Sequence, residues 1–217
     1  MLKGLLEVGD LDGRPGGKRA LSEEAPTRFR KVVVTSGHMI DSPDRPEERF
    51  PSRKEGAVRA RIASQLDAWG IGAGDLAICG GASGTDMIFA ELCAERGAEV
   101  WLLLALPEEE FLEASVRPAG RHWEARFFAL RNHPSVKTFR QPERLESPSA
   151  GSSAYSRNNL WMIDTARGEA SDPKQLYAIL VWDENPTGDG PGGTADFAAA
   201  IIRSGGRLAP IINPTKL

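Results

Sequence analysis

The residues with the most chemistry in them form one stretch, Cys79-Gly80-Gly81-Ala82-Ser83-Gly84-Thr85-Asp86, set between Asp75-Leu76-Ala77-Ile78 and the helix-like run Met87 to Cys93. A Gly-rich turn leading from a strand into a helix leaves bare backbone N–H groups beside a helix N-terminus, and both attract anions. The donors on offer are the N–H groups of Gly80, Gly81, Ala82 and Ser83, and the ligand class they suit is a nucleotide. The plain alternative is a tight strand-to-helix turn, which needs glycine in any case.

Two further Gly-containing loops follow apolar runs: TSGHMID at residues 35–41 and DENPTGDGPGGTAD at residues 183–196. Gly84-Thr85-Asp86 and Gly193-Thr194-Ala195-Asp196 echo each other, each with Thr at an expected N-cap and Asp in the first helical turn. That pattern is ordinary helix-start chemistry as well as a ligand contact. An Asp there partly satisfies the helix dipole, so Asp86 points to ribose hydroxyls or a polarised water more than to a bare phosphate hole. Ser36, Gly37 and His38 end the first strand and project toward the same mouth, although such a Ser also caps turns. His38 and Asp41 have no partner spacing elsewhere that would complete a metal site, so no metal is expected. Arg157, Asn158 and Asn159 suit a phosphate and the edge of a base, or equally an exposed cap. Asp183 and Glu184 follow a strand, and their plain reading is loop solvation.

The elements that must position these residues alternate in type. Arg30 to Thr35, Leu76 to Cys79, Glu99 to Ala105, Val136 to Phe139 and Leu176 to Trp182 read as strands. The longer ones are continuous apolar runs, as in a parallel sheet covered on both faces. Val58, Ile62, Leu66 and Trp69 fall at helical spacing before Gly70, and Thr85 to Arg96 reads as a helix stopped by Gly97. Pro107 opens an acidic helix, Trp123 to Leu130 forms another, and YSRNNLWMIDTA at 155–166 a further one. In the final unit GDGPGGTADFAAAIIRSGG is followed by Arg207 to Ile212. The segment DSPDRPEERFPSR at 41–53 is too irregular for an element of its own. The expected architecture is a three-layer, doubly wound, mostly parallel α/β sheet of Rossmann-like type. Its ligand crevice lies at the carboxyl ends of the strands, where the three loops would converge.

Composition bounds the remainder. The 217 residues, 41% hydrophobic and 26% charged, suit one domain, with residues 1–28 read as a tail or linker and 29–217 as the domain. SPSAGSS at 147–153 reads as a flexible patch. A net charge of −3 gives no general attraction to a phosphate backbone and argues against nucleic acid. Cys79 and Cys93 are not spaced as CxxC and read as buried free thiols in a reducing cytosol. No apolar run is long enough for export or membrane insertion, so a cytoplasmic protein is expected.

The order strand-Ser-Gly, GGASGTD, AEVWLLLALP, SRNN and GGTAD, from about Lys31 to Pro214, resembles the SLOG superfamily. That group includes the Lonely Guy phosphoribohydrolases and the DNA-processing protein A fold. SGHMID with GGTAD is similar to SLOG-like modules found beside cyclase and tetratricopeptide regions. The resemblance implies a Rossmann-like domain that senses a nucleotide-derived signal or cleaves an N-glycosidic bond. The phosphoribohydrolase pattern Pro-Gly-Gly-x-Gly-Thr-x-x-Glu is not kept: Cys79 replaces the Pro and one extra residue precedes Gly84.

The first expected function is therefore a sensor module that binds a nucleotide or NAD-derived molecule, without a resident cofactor. Its partner is a fused or associated effector, or a second copy through the Phe127-Phe128 helix. Ligand contacts would come from Ser36, Gly37, His38, Gly80, Gly81, Ser83, Gly84, Thr85, Asp86, Arg157, Asn158, Gly193 and Thr194. The second is a nucleotide N-glycosidase, for which Asp86, Glu91 and Asp183 are the candidate catalytic carboxylates.

Overall fold

Apolar runs with no polar alternation become strands whose two faces are both covered. The computed structural model describes residues 28–141, 153–185 and 193–217. Over these residues β1 (Val32–Gly37), β2 (Leu76–Cys79), β3 (Glu99–Leu104), β4 (Val136–Arg140), β5 (Leu176–Val181) and β6 (Arg207–Leu208) form one sheet. The order is β4-β3-β2-β1-β5-β6, and every neighbouring pair is parallel. The fold is thus the α/β, doubly wound, Rossmann-like architecture read from the sequence.

Side chains alternate across each strand and feed two cores. Val33, Ala77, Val100, Leu102 and Ile179 face helices α1 (Glu55–Ala68), α2 (Thr85–Glu95) and α4 (Arg121–Arg131), together with α3 (Glu108–Ser115). Val34, Ile78, Leu103, Ala178 and Leu180 face α5 (Ala154–Glu169) and α6 (Thr194–Arg203). At about 25 cal/mol per Å² of apolar area buried, these two cores supply the main favourable term of folding.

One local expectation changed and two details were added. Thr85 and Thr194 are the first helical residues, not N-caps; the cap positions are Gly84 and Gly193, neither with a side-chain cap. Of Arg207 to Ile212, only Arg207–Leu208 extends the ladder, with a single bridge from Ile212 to Val181. Pro210 interrupts the run and has no N–H to donate. Phe127 is core, while Phe128 stays 37% exposed.

The predicted tail at 1–28, apart from Arg28, lies outside the described residues, as does the flexible patch apart from Ser153. Most of the third Gly-rich loop, residues 186–192, does too. Among the described residues no helix is long and apolar enough to cross a membrane.

The chain lays β2, β3 and β4 to one side of β1, then returns to its other side with β5 and β6. β1 pairs with β5 as far as Gly37 and Val181. The direction of winding therefore reverses between these two strands, and ligand crevices of open α/β sheets open outside the carboxyl ends at such a reversal.

Candidate functional site

A cavity of about 300 Å³ opens at that reversal, at the lower end of small-molecule sites. Ser36, Gly37 and His38 reach it from the end of β1, Gly80, Ala82 and Asp86 from the β2–α2 turn, and Gly193 and Thr194 from the start of α6. α5 adds Tyr155, Ser156, Asn158, Asn159 and Met162, with Phe111 from α3 on the apolar side.

Gly37 and Gly84 let the backbones close up here. A Cβ on Gly37 would lie 2.5 Å from Val181 O and 2.7 Å from Thr85 Oγ1. Gly84 has φ +94°, a region L side chains avoid, and a Cβ on it would lie 2.5 Å from Ile40 N. The close approach allows a set of cross-links. Ile40 N donates to Ser83 O (3.2 Å), Thr85 N to His38 O (3.2 Å), and Thr85 Oγ1 also to His38 O (2.8 Å). Ser83, Gly84 and Thr85 thus fix the segment after β1 against the turn.

Asp86 folds back over its own turn. Its Oδ2 accepts from Ala82 N at 3.2 Å and lies 2.9 Å from where a Cβ on Gly80 would be. Burial pushes its carboxyl pKa up to about 7, although the Ala82, Gly80 and Gly81 N–H groups work the other way. A group that titrates near neutrality can give or take a proton at little cost. Beside it, Asn158 is 4% exposed; its Nδ2 donates to Leu103 O at 2.7 Å, which fixes the amide orientation, and its Oδ1 has no donor. An unmet buried acceptor costs about 1–3 kcal/mol.

More of the lining comes from the irregular segment after His38, for which sequence periodicity provided no element. Asp41 Oδ2 accepts from Arg49 N and Phe50 N, both at 2.9 Å, and so closes the loop on itself. This brings Arg45 and Arg49 into the cavity lining. Arg45 Nε donates to Glu47 O at 2.9 Å and lies 3.3 Å from Asp41 Oδ1. Arg49 reaches Asp183 Oδ2 at 3.3 Å and His38 Nε2 at 3.2 Å. His38 Nε2 also receives the Asp183 N–H at 3.1 Å. The same nitrogen lies 3.1 Å from Asp183 Oδ1, so Arg49, His38 and Asp183 form one polar cluster. Burial raises the Asp183 carboxyl, but the Asn185 N–H, His38 and the Arg49 guanidinium outweigh it and hold the pKa below the ordinary value.

Other candidates lie outside the cavity lining. Gly81 faces Leu104 and Phe127 in the core, and Arg157 lies on α5 beside the lining residues. Glu91 accepts from Arg59 (2.8 Å) and from Arg126 (2.7 and 2.9 Å), and so ties α1, α2 and α4 together. Asp183 stands behind Arg49 and His38. Arg45, Arg49, Asp41, Tyr155 and Phe111 line the cavity without having been singled out from the sequence as ligand contacts. Two arginines four apart beside the first loop were the available signal. Among the described residues no three His, Cys, Asp or Glu side chains come together as a metal site.

No protein-family model matches the chain, and no curated protein matches it. Among solved structures, it is similar to DNA processing protein A (DprA) from Streptococcus pneumoniae, at 14% identity and TM-score 0.37, over 87% of this chain and 60% of that one. It is also similar to the Moco carrier protein from Chlamydomonas reinhardtii, at 10% identity and TM-score 0.33, over 86% of this chain and 91% of that one.

Proposed function

We propose that the crevice binds a nucleotide-like small molecule, in a SLOG-type domain that reports the bound state to an effector. The observation that carries this reading is the Asp86 carboxyl, held over Gly80 near the Asn158 amide, in a cavity also lined by Arg45 and Arg49. A carboxyl acceptor and guanidinium groups in one lining match a sugar and a phosphate, and Phe111 and Met162 add apolar surface to it.

A second reading, hydrolysis of a nucleotide N-glycosidic bond, is favoured by the burial of Asp86 in the cavity lining, which pushes its carboxyl pKa up to about 7. A carboxyl of that kind can orient water and take its proton while the sugar develops positive charge. Asp86 is the only one of the three candidate carboxylates in the cavity lining.

Incubation of the protein with nucleotides and NAD, followed by chromatography for free base and by thermal melting, separates the two. Binding alone raises the melting temperature without release of base. At a hundredfold excess over Kd the gain is about 2.7 kcal/mol, or roughly 5–11 °C for a domain of this size. Release of base that disappears in Asp86→Asn would establish the hydrolase. No shift and no release would remove both.

A further inference from the structure

We infer that the ligand lies with its hydroxyl groups on the Gly80–Asp86 wall and its anionic group on Arg45, the reverse of the polarity a Gly-rich turn ordinarily imposes. This rests on the nucleotide-like reading of the crevice.

Three of the turn's N–H groups are committed within the chain. Ala82 N–H goes to Asp86 Oδ2 (3.2 Å), Ser83 N–H to Ser115 O (2.9 Å) and Thr85 N–H to His38 O (3.2 Å). The Gly80 and Gly81 N–H groups also act on the Asp86 carboxyl. The chain's own carboxylate thus fills the nest that a phosphate would use. A phosphate placed there would lose those donors and lie against a like charge. The Asp86 carboxyl puts an acceptor on this wall beside Gly80, and an acceptor calls for a ligand that brings donors. Vicinal ribose hydroxyls do so.

The cations come from another element of the lining, the segment after His38. Arg45 uses Nε on Glu47 O and Asp41 Oδ1, and its two Nη groups carry no hydrogen bond among the described residues. A guanidinium edge left open in this way matches two oxygens of a phosphate or carboxylate. Asp41, 3.3 Å from Arg45 Nε, and Asp183, 3.3 Å from Arg49 Nε, balance part of the charge and leave the Arg45 Nη edge as the open donor.

The test measures Kd by calorimetry for ribonucleoside 5′-monophosphates, their nucleosides and their 2′,3′-dideoxy counterparts, with wild type, Arg45→Gln and Asp86→Asn. In the wild type, a monophosphate should bind about tenfold tighter than its nucleoside and about tenfold tighter than its dideoxy form, the size of one charged hydrogen bond. Arg45→Gln should abolish the first preference and keep the second. Asp86→Asn should do the opposite. Arg45 is on an exposed loop, so its replacement spares the cores. Equal binding of ribo and dideoxy forms by the wild type, or a phosphate preference that survives Arg45→Gln, overturns the inference while the binding reading stands. Absence of binding across the panel overturns both.

Discussion

Replacing Asp86 by Asn should change how stability depends on pH, with a sign that follows from where the carboxyl sits. Its pKa is about 7 in the folded chain, because burial disfavours the anion, and about 3.9 in an unfolded chain. Between these values the folded state binds the extra proton, so stability falls as pH rises through the window and is level on either side. Three pKa units at 1.36 kcal/mol each give about 4 kcal/mol. Asn is nearly the same shape, keeps a carbonyl oxygen for the Ala82 N–H, and does not titrate. The stability of the variant relative to wild type should therefore rise by up to about 4 kcal/mol from pH 4 to pH 8, or roughly 8–16 °C in melting temperature. Taking the difference between the two proteins removes Asp183 and Glu184, whose lowered pKa values act below this window. Urea unfolding at 25 °C at several pH values would measure it. A difference that stays flat, or that falls with rising pH, would refute the picture of a buried carboxyl in the nest.

Two other substitutions probe the surroundings. Gly84→Ala places a Cβ against the backbone of Met39 and Ile40 at φ +94°, where neither neighbour is a flexible side chain. It should cost about 3 kcal/mol or more and lower the melting temperature by roughly 6–12 °C; a change within about 2 °C would contradict the close approach. Glu91→Gln removes the charge shared by Arg59 and Arg126. It should cost about 1–2 kcal/mol and leave the ligand-induced melting shift intact, whereas loss of that shift would put Glu91 in the site.

The elements were legible because their signals are local. Val32 to Thr35, Leu76 to Cys79 and Leu176 to Val181 are apolar on both faces, and Gly70 and Gly97 follow the ends of α1 and α2. A strand buried on both sides leaves that mark in any local window. The helix starts were less legible. A Thr after Gly in front of an Asp reads as a cap, yet at Gly84 the cap is the glycine itself, because His38 O takes both the N–H and the hydroxyl of Thr85.

By itself the sequence determined the class of fold, the Gly-rich turns at the strand ends, and Asp86 as the residue to watch. Those features follow from periodicity and from backbone requirements within a few residues. Only the tertiary structure decided that β1 lies between β2 and β5, which turns separate loops into one crevice. It alone brought Arg45 and Arg49 into the cavity lining, since Asp41 must first close an aperiodic loop around two N–H groups. It also decided that the Ala82 N–H serves Asp86. That choice depends on burial of the carboxyl among the residues around it, and no spacing along the chain records burial.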